Sequence, residues 1–195
     1  MDIVAAKKFV LEKLGRGLSK DLTYHSVEHT LDVMIAARRL GEMEGLPNRQ
    51  ICLIETAALF HDIGFTKVYD GHEKISVQIA RETLPDFGYS QEDIETIAHL
   101  ILATEIPQNP QNHMEEILAD ADLDYIGRDD MFLIGQRLQY EWCRHDKIKS
   151  LREWHEKQME FLKKHQYFTK SAQKLREAKK QKNIQELEEL LNQIK

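Results

Sequence analysis

A histidine and an aspartate stand side by side at the end of an apolar run in this 195-residue chain. The pair is His61-Asp62, and residues 51–60 before it read ICLIETAALF. Burying an imidazole beside a carboxylate is costly unless a metal ion or hydrogen bonds compensate. Both groups are suitable ligands for divalent transition metals such as Mn, Fe, Co, Ni or Zn. The pair therefore predicts a metal site.

Two further metal-capable side chains lie in other segments of the chain. His29 follows the segment YHSVE, and Asp122 lies within ADADLD. Adjacent residues on a helix project about 100° apart, so His61 and Asp62 can share one ion only at a helix end. Gly64 marks such an end. These four side chains would leave coordination positions for water and substrate, which a catalytic metal requires.

The elements that must position these residues are predicted to be helices. Apolar residues repeat at helical spacing almost throughout, and strand-like alternation is absent. The four prolines fall between the periodic segments, where helix breakers belong. They are Pro47, Pro85, Pro107 and Pro110. We therefore predict an all-α fold, a single-domain helical bundle with long C-terminal helices.

The apolar periodicity also predicts where the helices lie. They cover about residues 2–14, 26–44, 48–62, 72–84, 90–101, 114–126 and 128–142, with long helical segments within 147–195. The first helix is predicted to end at Gly15-Arg16-Gly17. Residues 64–71 are predicted to form a loop. Ser90, followed by acidic residues, has the form of an N-terminal cap. On the second helix, four residues are expected to share one side: Leu31, Met34, Ile35 and Arg38.

The length of the chain suits one compact domain. We assign residues 1–146 to its core and residues 147–195 to a C-terminal helical extension. The extension carries one apolar stripe on a very polar helix, formed by Ile184, Leu187, Leu191 and Ile194. The stripe could pack on the core or on a second subunit of a homodimer. Because it is too short for a sustained coiled coil, we favour packing on the core.

Composition excludes several classes of function. A net charge of -6 offers no footprint for a nucleic-acid polymer, although a bound cation would still admit an anionic small substrate. The chain has no apolar run of the ~20 residues that a membrane span needs. Cys52 and Cys143 form no C-x-x-C pair, so we expect a reducing cytoplasm. The first residues have no signal-peptide pattern.

Three segments together resemble the HD-domain superfamily of metal-dependent phosphohydrolases. They are YHSVEHTLDV at 24–33, AALFHDIG at 57–64 and LADADLD at 118–124. The resemblance covers about residues 20–145 and implies an HD-type helical bundle. Family members hydrolyse phosphate esters and anhydrides of nucleotides, so it also implies a small phosphorylated substrate, with a nucleotide as the expected class.

The resemblance further implies which residues bind the metal. They are His29, His61, Asp62 and Asp122, with Asp122 preferred to Asp120 because the family carries Ala-Asp, one residue, and then often another acid. Binuclear members add two histidines between the His-Asp pair and the last aspartate. His72 matches the first of these positions, but the second falls near Thr104, with His99 about one turn earlier. This departure favours one metal ion.

Three residues are candidates for catalysis. Asp62 could orient or deprotonate a water molecule beside the metal. His72 and Glu73 open a helix just after the His-Asp loop, and Glu73 could position the water. An acidic residue in the first turn of a helix is also common for purely structural reasons.

Four residues are candidates for binding the substrate. His25 lies four residues before His29 and could share its face, or it could bond a neighbouring carboxylate. Lys67 could contact a phosphate, or it could be a solvated loop lysine. Thr104 is a candidate for the pocket wall. Arg128 could reach the site, although an ion pair with Asp129, Asp130 or another acid explains it equally well.

Two functions remain open from the sequence. The first is an enzyme, a metal-dependent phosphohydrolase with a metal-activated water. The second is a sensor or partner-docking module that binds a metal and a nucleotide without turnover. The intact ligand set favours the enzyme, because a scaffold has no need of open metal positions.

Overall fold

A computed structural model of the protein describes residues 1–193 and confirms the all-α prediction. Among these residues there are nine α-helices and no strand. The helices are α1 (Ile3–Gly17), α2 (Val27–Met43), α3 (Asn48–Phe60), α4 (His72–Thr83), α5 (Gln91–Leu102), α6 (His113–Asp122), α7 (Met131–Arg144), α8 (Leu151–Lys164) and α9 (Lys170–Gln193). Three short 3-10 turns lie at Ile63–Thr66, Leu84–Phe87 and Asp124–Gly127.

The helices group into two compact units. The first comprises Met1–Ser19 and His25–Leu123, and the second comprises Lys20–Tyr24 and the chain from Asp124 onwards. The four residues of the predicted metal set all fall in the first unit. The division into a core of residues 1–146 and an extension of residues 147–195 stays a prediction.

Helix α2 packs against α3, and its buried face is made of small and apolar residues. The buried residues are Thr30, Val33, Ala36, Ala37, Leu40 and Gly41. A Cβ atom added at Gly41 would lie 2.7 Å from Cδ1 of Ile54, so the two helices approach closely there. The four residues expected to share one side lie on a different side of the helix, where Ile35 is 59% exposed.

Helix α3 is the central element of the first unit. Every side chain from Leu53 to Phe60 is buried, so a helix with no polar face ends directly at His61. The predicted loop at 64–71 begins instead with the 3-10 turn Ile63–Thr66, whose Phe65 ring is buried. Burial of this ring explains why the chain stays helical here.

Helix α4 is attached to the turn after α3 by one serine. The hydroxyl of Ser76 donates to the carbonyl of His61 at 2.6 Å and accepts from the amide of Gly64 at 2.9 Å. A Cβ atom at Gly64 would collide with the carbonyl oxygen of His72. This turn therefore needs glycine, and its backbone is held in place from α4.

Polar caps begin the other helices that carry site residues. Ser26 caps α2 by accepting from the amide of His29 at 3.3 Å, and Asn112 caps α6 by accepting from two amides. The N-cap predicted at Ser90 of α5 is confirmed, and Ser90 also forms a capping box with Asp93. Helix α1 ends at Gly17, the last residue of the Gly15-Arg16-Gly17 stop predicted for it.

Helix α9 holds the 3-10 turn at Asp124–Gly127 within the second unit. Arg176 binds both carboxylate oxygens of Asp124, at 2.8 and 2.9 Å. Asn183 donates to the carbonyls of Ile126 and Arg128. In the apolar stripe Ile184 and Leu187 are buried, and Ile194 lies outside the described residues. None of the described helices is long and apolar enough to cross a membrane.

Candidate metal centre

Four side chains from α2, α6 and the end of α3 meet in one buried cluster. His29 Nε2 lies 3.2 Å from Asp122 Oδ1 and 3.5 Å from Asp62 Oδ2. His61 Nε2 lies 3.2 Å from Asp62 Oδ2 and 3.3 Å from both Asp122 Oδ1 and His29 Nε2. The structure thus brings together the whole set expected from sequence.

These separations fit the spacing of ligands around a metal ion. Nitrogen and oxygen ligands bind such ions at about 2.1 Å, which places neighbouring ligand atoms about 3.0–3.4 Å apart. Within the described chain, His29, His61 and Asp122 form the one group of three or more metal-capable side chains with ligand atoms within 4.8 Å of one another. The residues present could therefore hold a divalent ion.

The hydrogen bonds of the cluster point to the same conclusion. His61 Nδ1 lies 2.8 Å from the carbonyl oxygen of Ala58, and a carbonyl can only accept. The proton of a neutral ring therefore sits on Nδ1, and the lone pair of Nε2 faces the carboxylates. Asp62 Oδ2 is buried and makes no hydrogen bond. Acceptors that face one another across a buried space require a cation between them.

The electrostatics show how strongly the cluster attracts positive charge. Burial opposes a charge on His61, yet the carboxylates of Asp62 and Asp122 outweigh burial and raise the pKa of His61 well above its usual value. Burial likewise opposes ionisation of Asp62, but His61 and His72 hold the pKa of Asp62 well below its usual range. The pKa of Asp122 is lowered against burial by His29 and His61. These carboxylates thus favour a positive charge on His61, as they would favour a bound metal ion.

His72 and Glu73 lie at the edge of the cluster, at the first turn of α4. His72 Nε2 is 3.3 Å from Asp62 Oδ1 and 3.5 Å from Glu73 Oε1. Burial opposes a charge on His72, but the hydrogen bond and charge of Asp62 raise its pKa. His72 is thus a cationic link between a candidate metal ligand and a second carboxylate.

The ring of Phe65 packs against two of the site histidines. Its centroid lies 3.8 Å from that of His72 and 4.1 Å from that of His25, and both ring pairs are stacked. Tyr69 contacts the same ring from its edge. Sequence reasoning missed Phe65 and Ser76 as positioning residues. An apolar residue in a polar loop was the available signal for Phe65.

Of the two histidines that binuclear family members add, His72 matches the first, and Thr104 stands near the position of the second. His99 is exposed on α5, and it is absent from the one metal-capable group found among the described residues. Thr104 is buried, and its hydroxyl donates to the carbonyl of Ile101 at 2.8 Å. A role for Thr104 in a pocket wall stays a prediction.

Two basic candidates for substrate binding, Lys67 and Arg128, are not members of the four-residue cluster. Lys67 is exposed and lines a cleft beside α1. Arg128 belongs to the second unit, where its guanidinium binds both carboxylate oxygens of Asp130 at 2.9 and 2.8 Å. The ion pair foreseen as an alternative for Arg128 is therefore present. Contact of either residue with a substrate stays a prediction.

The fold and the cluster together define an all-α protein in which His29, His61 and Asp122 could hold a metal ion. Comparison with known families agrees, because a model of the HD domain matches residues 26–124. The chain therefore belongs to the HD-domain family, as its sequence motifs predicted.

Known relatives share this family fold at moderate to low identity. An uncharacterized protein of Clostridium beijerinckii is 35% identical over 96 residues, which cover 46% of this chain and 60% of that protein. The match thus spans less than two thirds of that relative's length.

Solved structures resemble nearly the whole chain. Bacillus subtilis YpgQ, solved in complex with ADP, aligns with a TM-score of 0.69 at 20% identity and covers 98% of this chain and 97% of its own. A predicted HD superfamily hydrolase from an uncultured Thermotogales bacterium aligns with a TM-score of 0.64 at 20% identity, covering 95% and 91%. At these identities the likeness establishes the fold alone.

Proposed function

We propose that this protein is a metal-dependent phosphohydrolase that acts on a small phosphorylated molecule of the nucleotide class. One observation carries the proposal: ligand atoms of His29, His61, Asp62 and Asp122 converge with separations of 3.2–3.5 Å. A purely structural core has no reason to collect two imidazoles and two carboxylates at that spacing.

The four side chains would hold one ion of Mn, Fe, Co, Ni or Zn. Such an ion, when bound, lowers the pKa of a water molecule and polarises a phosphoryl oxygen. Asp62 suits the role of ligand because its lowered pKa keeps it ionised near neutral pH. Its second oxygen, Oδ1, faces His72 rather than the cluster, so Asp62 joins the ligands to the residues that move protons.

His72 is the residue we assign to proton transfer. Its raised pKa keeps a proton available near neutral pH, so it can protonate a departing oxygen. Glu73, 3.5 Å away, can stabilise the protonated His72 ring or orient the attacking water. Phe65 stacks on the His72 ring and fixes its plane, and His25 stacks on Phe65. In this proposal His25 would also face the phosphate.

The nucleotide class is supported by two observations. The YpgQ structure of B. subtilis contains ADP, and that protein shares the fold at 20% identity. The net charge of -6 argues against a nucleic-acid polymer as substrate.

Two free thiols, Cys52 and Cys143, support our assignment to the cytoplasm. Light scattering on the purified protein would test whether it forms the homodimer that the sequence left open.

Release of phosphate or nucleoside from a panel of nucleotides, with Mn supplied, tests the function. We expect turnover by the native protein and its loss in Asp62→Ala, with helical content preserved by circular dichroism. Asp86→Ala removes an exposed acid of the same unit and should retain full activity.

Two outcomes would contradict the proposal. Turnover that persists in Asp62→Ala would exclude the metal-ligand mechanism. Tight nucleotide binding with no product after hours, in protein that holds Mn, would establish the alternative of a non-catalytic sensor or partner-docking module.

A further inference from the structure

A second concave feature of the first unit lies between α1 and the 3-10 turn that follows Asp62. It is a cleft of about 350 Å³, within the range of about 300–1,000 Å³ typical of small-molecule sites. Its lining side chains include Phe9, Glu12, Lys13, Arg16, Thr66 and Lys67. Three of these are cationic and one is acidic, in a chain whose net charge is -6.

The cations of this cleft have no acidic partners among the described residues. Neither Lys13, Arg16 nor Lys67 forms an ion pair there, and Lys13 lies 5.9 Å from the ring of Phe9. Arg16 by itself is explained by its place in the last turn of α1, where a cation complements the helix dipole. That explanation does not extend to Lys67, which reaches the same cleft from a different element.

The cleft and the metal centre use different sides of one turn. Successive residues of a 3-10 helix point about 120° apart. Phe65 packs against His25 and His72, whereas Thr66 and Lys67 line the cleft. A ligand in the cleft would therefore contact the turn without contacting the metal ligands.

We propose that the cleft between α1 and this turn is a second anion site, which binds the phosphate chain of a small molecule through Lys13, Arg16 and Lys67. Lysine and arginine are the usual phosphate partners in proteins. The half-buried ring of Phe9 provides an apolar surface beside them. This site goes beyond the proposed function, because it needs neither the metal nor hydrolysis.

Calorimetric titration of the full-length protein with pyrophosphate, in EDTA to keep divalent ions away, tests the proposal. The cleft variant is Lys13→Glu with Arg16→Glu, and the matched control is Lys7→Glu with Lys8→Glu on the same helix but outside the cleft lining. We expect saturable binding by the native protein, a Kd at least tenfold weaker in the cleft variant, and a change below twofold in the control.

A third variant and a second ligand sharpen the test. Lys67→Glu should weaken binding several-fold, since it approaches from the other element, and added salt should weaken binding in the native protein. ADP binding more tightly than pyrophosphate would identify a nucleotide as the ligand, and equal affinity would identify the phosphate chain alone. Both results support the site.

The proposal is overturned by an absence of saturable binding, or by equal weakening in the cleft and control variants. Its outcome is separable from that of the phosphohydrolase. Asp62→Ala is expected to lose product release while it still binds pyrophosphate, and a protein with no hydrolytic activity could still show the charge-dependent binding.

Discussion

The chemistry of the site begins with one hydrogen bond at His61. By donating from Nδ1 to the carbonyl of Ala58, the ring turns Nε2 toward two carboxylates. Those carboxylates raise the pKa of His61 despite its burial. The same groups that would hold a metal thus hold a proton when no metal is bound, and the two cations compete.

This competition predicts a pH dependence of metal affinity. A ligand histidine must lose its proton to bind a metal, and the raised pKa of His61 moves that competition to a higher pH than about 6.5, the ordinary value. Affinity for Mn should therefore fall as pH is lowered through the raised pKa, by about tenfold per pH unit for each proton displaced. Calorimetry with Mn between pH 8.5 and pH 5.5 measures it, and a flat profile would refute it.

At the scale of the element, the turn after α3 depends on support from α4. Ser76 bonds the carbonyl of His61 and the amide of Gly64. We expect Ser76→Ala to cost about 1–3 kcal/mol in the free energy of unfolding and to weaken Mn binding, because the backbone that carries His61 and Asp62 is released.

A second serine provides the matched control for that variant. Ser150→Ala removes the N-cap of α8 and should cost about 1 kcal/mol without changing Mn affinity. Chemical denaturation and Mn titration of both variants separate the two effects. Equal Mn affinity in Ser76→Ala and the native protein would show that α4 does not position the ligands.

Alanine substitutions at two glycines are predicted to change stability in opposite directions, because α4 approaches only one of them closely. Gly64→Ala should destabilise the protein by a few kcal/mol, because its Cβ collides with a backbone carbonyl that cannot move freely. Gly15→Ala should stabilise it by about 0.5–1 kcal/mol, since Gly15 lies within α1 with open space around its Cβ position. Urea denaturation of both variants checks the signs, and a neutral Gly64→Ala would contradict the packing.

At the scale of the whole molecule, metal binding should be visible as stability. An ion that binds only the folded state stabilises it by about 2.7 kcal/mol at a concentration of one hundred times its Kd. For a chain of this size we expect Tm to rise by about 5–10 °C. Thermal melting with and without Mn tests this, with Asp62→Ala as the control that should show no rise. A rise of equal size in that variant would place the metal elsewhere.

The motifs alone were sufficient to predict the family, the all-α class and the set of side chains that meet at the site. Residue type was enough here, because an imidazole and a carboxylate at the end of an apolar helix are costly to bury unless a cation or hydrogen bonds compensate. Proline positions and capping residues such as Ser90 likewise marked most helix limits, since caps act within one turn of the chain.

Only the tertiary structure decided how those residues are held. At the contact between α2 and α3, Gly41 lies close to Ile54, and the sequence does not record which helix a small residue will meet. Ser76 and Phe65 act through contacts with residues in other segments of the sequence, and a hydrophobicity pattern does not record such contacts. The same limit applies to the cleft of Lys13, Arg16 and Lys67, because charges on separate elements become a site only when folding brings them together.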